Sequence, residues 1–110
     1  MTEAEFKNQV IEIAKRYGWL IHHDLPAIRP NGSWATNTQG HVGFPDLVLA
    51  RRGSVIFAEL KSMTAKVTPG QTAWMKQLEG DPDEYKNVDM IVQVWRPDDL
   101  EMISDILNRF

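Results

Sequence analysis

Two acids and a lysine stand out in the middle of the chain: Asp46 directly after Pro45, then Glu59 and Lys61 on either side of Leu60, with twelve residues between the acids. The runs Asp46–Ala50 and Val55–Lys61 read as two strands, joined around Arg51-Arg-Gly-Ser54 by a tight hairpin turn. With Arg52-Gly53 as the turn residues, residue i pairs with residue 105 − i, which sets Asp46 opposite Glu59. Opposed side chains lie about 5 Å apart at Cβ, and like charges there repel. The face carrying the acids also carries Val48, Ala50, Val55 and Phe57; the other carries Leu47, Leu49, Ile56, Ala58 and Leu60. With two apolar faces the hairpin is expected to be interior and covered on both sides. Carboxylates desolvated beside each other need compensation. A divalent cation supplies it, since Mg²⁺ takes one or two carboxylates and keeps its other positions for water and phosphate. Lys61, two residues past Glu59, projects on the same face and adds positive charge. Such a set suits metal-assisted attack of water on an ester, with the lysine stabilising developing negative charge. The plainer alternative is a hairpin end that leaves both acids in water. Pro45, tolerated only at a strand start or edge, favours the paired arrangement.

Flanking segments supply the frame. Thr2 is a good N-cap, and Phe6, Val10, Ile13, Ala14 and Tyr17 recur at helical spacing until Gly18. Trp19–His22 reads as a short strand, and residues 24–43, rich in Pro, Asn, Gly, Ser and Thr, as a long loop. Thr68-Pro69 opens a helix with Ala73, Trp74, Gln77 and Leu78 that stops at Gly80. Val88–Trp95 is an apolar strand, and Pro97 starts a last helix striped by Leu100, Ile103, Leu107 and Phe110. The order predicts an α/β fold with a mixed central sheet flanked by helices.

The 110 residues have room for a single domain, 1–110, and its composition, 43% hydrophobic and 25% charged, is that of a globular protein. No apolar run approaches the roughly 20 residues of a membrane helix. The first residues lack the order of a secretory signal. The absence of cysteine excludes disulfides and thiolate metal sites, and fits a cytoplasmic setting. A net charge of −3 lowers the expectation of nucleic-acid binding without removing it, because acids can be metal ligands while bases cluster elsewhere.

Gly43-Phe-Pro-Asp46 followed by Glu59-Leu-Lys61 resembles the PD-(D/E)XK nuclease signature, and the details resemble its VRR-NUC branch. There a G-x-P-D-L strand precedes an E-L-K strand and an S/T-P-x-Q helix, matched here by Thr68-Pro-Gly-Gln71, with an early helix carrying an acid near its start. The resemblance spans essentially the whole chain. It implies a restriction-endonuclease-like αβββαβ(α) core, and Mg²⁺ or Mn²⁺ held by Asp46, Glu59 and the Leu60 carbonyl. It also implies a Lys61 that positions or deprotonates water, or stabilises the phosphate. It further implies an endonuclease acting on branched DNA such as Holliday junctions, working as a homodimer in a bacterial or phage-infected cell.

The early-helix acid is Glu3 or Glu5. Glu5 stands three residues after Thr2 as a capping-box partner, whereas Glu3 leans toward the buried stripe and is the choice. Gln71 completes a second capping box with Thr68, and by resemblance is also a site residue. Lys66, Arg29, Arg51 and Arg52 could contact phosphates, Lys66 foremost. Trp34 could stack on distorted DNA, and His41 could touch substrate. No histidine spacing resembles a zinc site. Trp19, Trp74 and Trp95 are expected in the core, with Asp81, Asp83 and Glu84 as solvated turn charges. Competing readings are a nickase or flap endonuclease, a catalytically weak DNA-binding or assembly module, and a hydrolase of small phosphoesters.

Overall fold

The structure is a computed structural model that describes residues 1–23, 27–28, 30–32, 34–35, 40–81 and 89–110, with only the backbone at 27–28 and 34–35. Helix α1 (Glu3–Arg16) leads through β1 (Leu20–His23) and a short ribbon, β2 (Ala27–Ile28) and β3 (Trp34–Ala35), to β4 (Leu47–Arg51) and β5 (Ser54–Leu60). Helix α2 (Pro69–Glu79), β6 (Met90–Trp95), a 3₁₀ turn (Pro97–Asp99) and α3 (Leu100–Arg109) complete the order. The main sheet runs β1-β4-β5-β6, with β1/β4 and β4/β5 antiparallel and β5/β6 parallel. The result is a mixed α/β fold with helices flanking a four-stranded mixed sheet, compatible with an αβββαβ core.

Strand ends shift by one residue from those expected of the sequence, and two expected segments differ in content. The stretch expected as one irregular loop over 24–43 contains the β2–β3 ribbon, whose pairs Ala27↔Ala35 and Ile28↔Trp34 are too short for periodicity to reveal. The last helix is preceded by the 3₁₀ turn that Pro97 begins. The expected strand start at Val88 lies outside the described residues.

The core fills one face of the sheet. Phe6, Val10 and Ala14 of α1 and Ile103 and Leu107 of α3 close over Leu47, Leu49, Ile56, Ala58, Leu60 and Trp95. Steps of four put the helical residues on one stripe of each helix, and the two-residue period of the strands aligns the others beneath them. Trp19 joins this core and donates its Nε1–H to the Leu107 carbonyl at 2.9 Å. The second face is not sealed in the same way. Val48, Ala50, Val55, Phe57, Val92 and Val94 are half-buried, and α2, which lies against β6, buries none of its own residues. Among the described residues the expected two-sided burial is therefore complete on one side only, and the less covered face is the one that carries the acids.

Candidate active site

Hairpin geometry places the first two members. Arg52 and Gly53 both have positive φ, 50° and 85°, as a two-residue turn matched to strand twist requires. The pairs Arg51↔Ser54 to Leu47↔Ala58 keep the register predicted from that turn. One step further, Asp46 lies opposite Glu59, and there a side chain takes over from the backbone ladder: the Leu60 N–H donates to Asp46 Oδ2 at 3.0 Å. Leu60 is bracketed by Trp95 of β6, and the next residue, Lys61, donates its own N–H to the Trp95 carbonyl at 3.0 Å. Strand alternation thus turns both the N–H and the C=O of Leu60 away from β6, toward Asp46.

Glu59 is only 2% exposed and Lys61 9%. Lys61 Nζ lies 4.0 Å from Glu59 Oε1, the same oxygen that accepts a 2.9 Å hydrogen bond from Gln71 Nε2. Glu59 Oε2 is buried with no hydrogen-bond partner. Burial, reinforced by the neighbouring Asp46 carboxyl, pushes the pKa of Glu59 up to about 8, against the opposing pull of Lys61. Below that value Glu59 keeps its proton. An orphaned carboxylate oxygen beside a second carboxylate and an inward-turned carbonyl fits a small divalent cation, which would replace that proton. Among the described residues no group of three His, Cys, Asp or Glu side chains converges, so a cation here would complete its shell with water and phosphate oxygens.

Gln71 serves in both ways open to it. Its Oε1 accepts the Thr68 N–H at 2.9 Å, its N–H donates to Thr68 Oγ1 at 3.2 Å, and its free amide N–H₂ holds Glu59. Glu5 likewise closes the capping box on Thr2 at the start of α1. Glu3 does not lean toward the interior: it is exposed, and it forms no three-residue group with Asp46 and Glu59. Phe6 and Val10 occupy the buried stripe instead.

The positively charged candidates separate. Lys66 is exposed on the connection that follows Lys61. Arg51 lies five residues from Asp46, roughly 17 Å along the strand, and is committed to the fold. Its Nη1 donates to the Tyr17 carbonyl at 2.7 Å, its Nη2 to the Asn108 carbonyl at 3.3 Å, and its guanidinium stacks 4.8 Å from the Trp19 ring. It thereby satisfies carbonyls at the C-terminal ends of α1 and α3. Arg52 is exposed on the same distant turn. His41 is exposed near the start of α2, where its carbonyl accepts Trp74 Nε1–H at 3.1 Å. Trp74 is half-buried rather than in the core, packed edge to face with Phe44 at 5.0 Å, while Trp95 is fully buried. Asp81 is exposed. Arg29, Asp83, Glu84 and the Trp34 side chain lie outside the described residues.

Two residues join the site that sequence spacing does not point to in this role. Gly43, at φ 102°, lies against α2 so closely that an added Cβ would stand 2.4 Å from the Gly70 carbonyl carbon and 2.6 Å from the Gln71 nitrogen. Arg96 donates through Nη1 to the carbonyls of Ser62 at 2.6 Å and Ala65 at 2.8 Å, pinning the connection between Lys61 and Lys66. Nothing local announces Arg96, because its partners are 34 and 31 residues away. Arg96→Met leaves both carbonyls without that donor and is expected to cost on the order of 1–3 kcal/mol. Amide exchange at Ala65 should accelerate in this variant, and an unchanged rate would show that the guanidinium does not hold the connection. Comparison with family models, curated proteins and solved structures finds no match to this chain, so the site is defined by its own geometry.

Proposed function

We propose that this chain is a metal-dependent endonuclease that hydrolyses DNA phosphodiester bonds, with Mg²⁺ or Mn²⁺ held by Asp46, Glu59 and the Leu60 carbonyl. The observation that carries the reading is Glu59 Oε2, buried and unpartnered beside Asp46, on a carboxyl whose other oxygen lies 4.0 Å from Lys61 Nζ. When bound, the ion would supply the charge that acidifies water and neutralises the phosphate. Gln71 fixes the rotamer of Glu59 through Oε1, which leaves Oε2 as the oxygen available for coordination. Lys61 is placed to orient the attacking water or to hold a phosphate oxygen as charge develops. Lys66 stands on the exposed side of the same connection, suited to the next phosphate along a strand. An open sheet face, rather than a closed pocket, suits a polymer better than a small phosphoester.

The VRR-NUC resemblance extends the proposal to branched DNA such as Holliday junctions, cut in the cytoplasm of a bacterial or phage-infected cell. Symmetric cuts across a junction require two active sites, hence a homodimer. Among the described residues no helix is long and apolar enough to cross a membrane.

The test is cleavage of labelled four-way junction, flap, single-stranded and linear duplex DNA in Mg²⁺ or Mn²⁺, with Asp46→Asn and Lys61→Ala alongside. Each substitution is expected to lower the rate roughly a hundredfold or more. Equal cutting by all three proteins would overturn the site. DNA binding without any cutting would instead make the chain a binding or assembly module, and cutting of one strand of a flap or nicked duplex alone would make it a flap endonuclease or nickase.

A further inference from the structure

An open cavity of about 410 Å³ on the surface of α2 is lined by His41, Val42, Gly70, Ala73, Trp74 and Gln77. Its four helical members are spaced i, i+3, i+4 and i+7, so they form one face of α2. That helix buries none of its residues, so this face is not spent on the core. The facing wall is held in place by three contacts. Gly43 abuts the backbone of Gly70 and Gln71, the His41 carbonyl accepts Trp74 Nε1–H, and Phe44 packs edge to face on Trp74. Val42 on this wall is 73% exposed despite being apolar. The space and the proposed active site are neighbours on α2, because Gly70 on its wall is the peptide neighbour of Gln71, whose amide lies 2.9 Å from Glu59.

The space falls within the range of about 300–1,000 Å³ usual for small-molecule sites. Its walls are an indole, a valine and two residues with little or no side chain, and His41 and Gln77 are its polar groups. An apolar slot with hydrogen-bonding groups at its edge suits a flat ring whose faces are apolar and whose rim is polar. Beside a phosphate-cleaving site on DNA, the ring within reach is a base of the same strand.

We propose that this cavity receives one unstacked nucleobase next to the phosphate held at Asp46, Glu59 and Lys61, an inference that rests on the nuclease reading. A base inside a duplex must be unpaired and unstacked to enter, whereas one at a junction, flap or single strand already is. The pocket therefore selects branched and single-stranded DNA by the cost of base extrusion, without reading sequence.

The test is the indole N–H resonance of Trp74, assigned through Trp74→Phe, in EDTA buffer so that nothing is cut. Titration with a thymidine pentanucleotide should shift it, and a pentanucleotide with an abasic central position should bind at least about tenfold more weakly, the scale of one lost stacking contact. Ala73→Leu fills the cavity from an exposed position, so the preference for the intact pentamer should collapse toward unity. Equal shifts with intact and abasic pentamers would overturn the proposal in favour of backbone contact alone. A shift that depends on protein concentration without DNA would assign the cavity to a second copy of this chain and also overturn it. No shift, in a protein that cuts branched DNA with Mg²⁺ or Mn²⁺, would sink the pocket and leave the nuclease standing. A base-dependent shift in a protein that cuts nothing would support the pocket and sink the nuclease.

Discussion

Replacing Glu59 by glutamine is expected to stabilise the metal-free protein near pH 8 while eliminating metal-dependent DNA cleavage. The folded pKa of Glu59 is raised from 4.5 to about 8 by burial and by Asp46. The stability contributed by the protonated group is fully present below the unfolded value and is lost as pH rises through the folded one. Between these limits the native state holds a proton that the unfolded chain has released, so unfolding free energy should fall with pH, by at most about 1.4 kcal/mol per pH unit. The melting temperature of the metal-free wild type should therefore decline from pH 5 to pH 8. In Glu59→Gln the new side chain carries no charge, keeps an oxygen for Gln71 Nε2 and can donate to Asp46, so the variant's profile should be flatter and higher by several degrees at the alkaline end. Adding Mn²⁺ should raise the wild-type melting temperature, more at pH 8 than at pH 5 because ligands must be deprotonated, and should leave the variant nearly unmoved. Thermal scans with EDTA or Mn²⁺ across this range check all three statements. A wild-type melting temperature that climbs from pH 5 to pH 8 in EDTA would refute the description of the acid pair.

Gly43→Ala should damage stability and cleavage together. A methyl group there must either leave the left-handed backbone region or enter the backbone of Gly70 and Gln71, 2.4–2.7 Å away. Backbone has no rotamer with which to retreat, so the N-terminus of α2 must shift and carry Gln71 away from Glu59. Strain and overpacking together are expected to cost on the order of 3 kcal/mol. The melting temperature should drop by roughly 15 °C. A displacement of about 1 Å at the catalytic groups should lower cleavage about a hundredfold, measured below the variant's own transition. Gly53→Ala is the control. Gly53 also has positive φ, but an added Cβ meets nothing within 4 Å, so only the left-handed strain of roughly 1–2 kcal/mol remains. Similar losses in the two variants would show that the close approach of Gly43 to α2 does not position Gln71.

Both predictions concern the same unit: an acid pair whose charge the fold does not neutralise, and a helix end pressed against it by a glycine. Arg96 holds the other side of that unit, so the connection bearing Lys66 and the helix bearing Gln71 are each tied down by a contact remote in sequence.

How much of this was legible in advance divides by the range of the interactions. The turn at Arg52-Gly53 and the two-residue period of the strands are local properties, and they suffice to set Asp46 against Glu59 with Lys61 on the same face. The capping boxes at Thr2 and Thr68 are local in the same sense, each spanning a single helical turn. What spacing could not decide is which neighbour covers each face. Both faces of the hairpin are apolar, yet α1 and α3 seal only one, because their stripes of Phe6, Val10, Ala14, Ile103 and Leu107 match it and α2 has no comparable stripe. The same long-range packing spends Arg51 on helix ends, leaves Glu3 in solvent, draws Trp74 out of the core to Phe44 and His41, and brings the amide of Gln71 to Glu59. Local spacing settled which side chains share a strand face. Packing alone chose which face stays open, because apolar surfaces far apart in the chain compete there for the same cover.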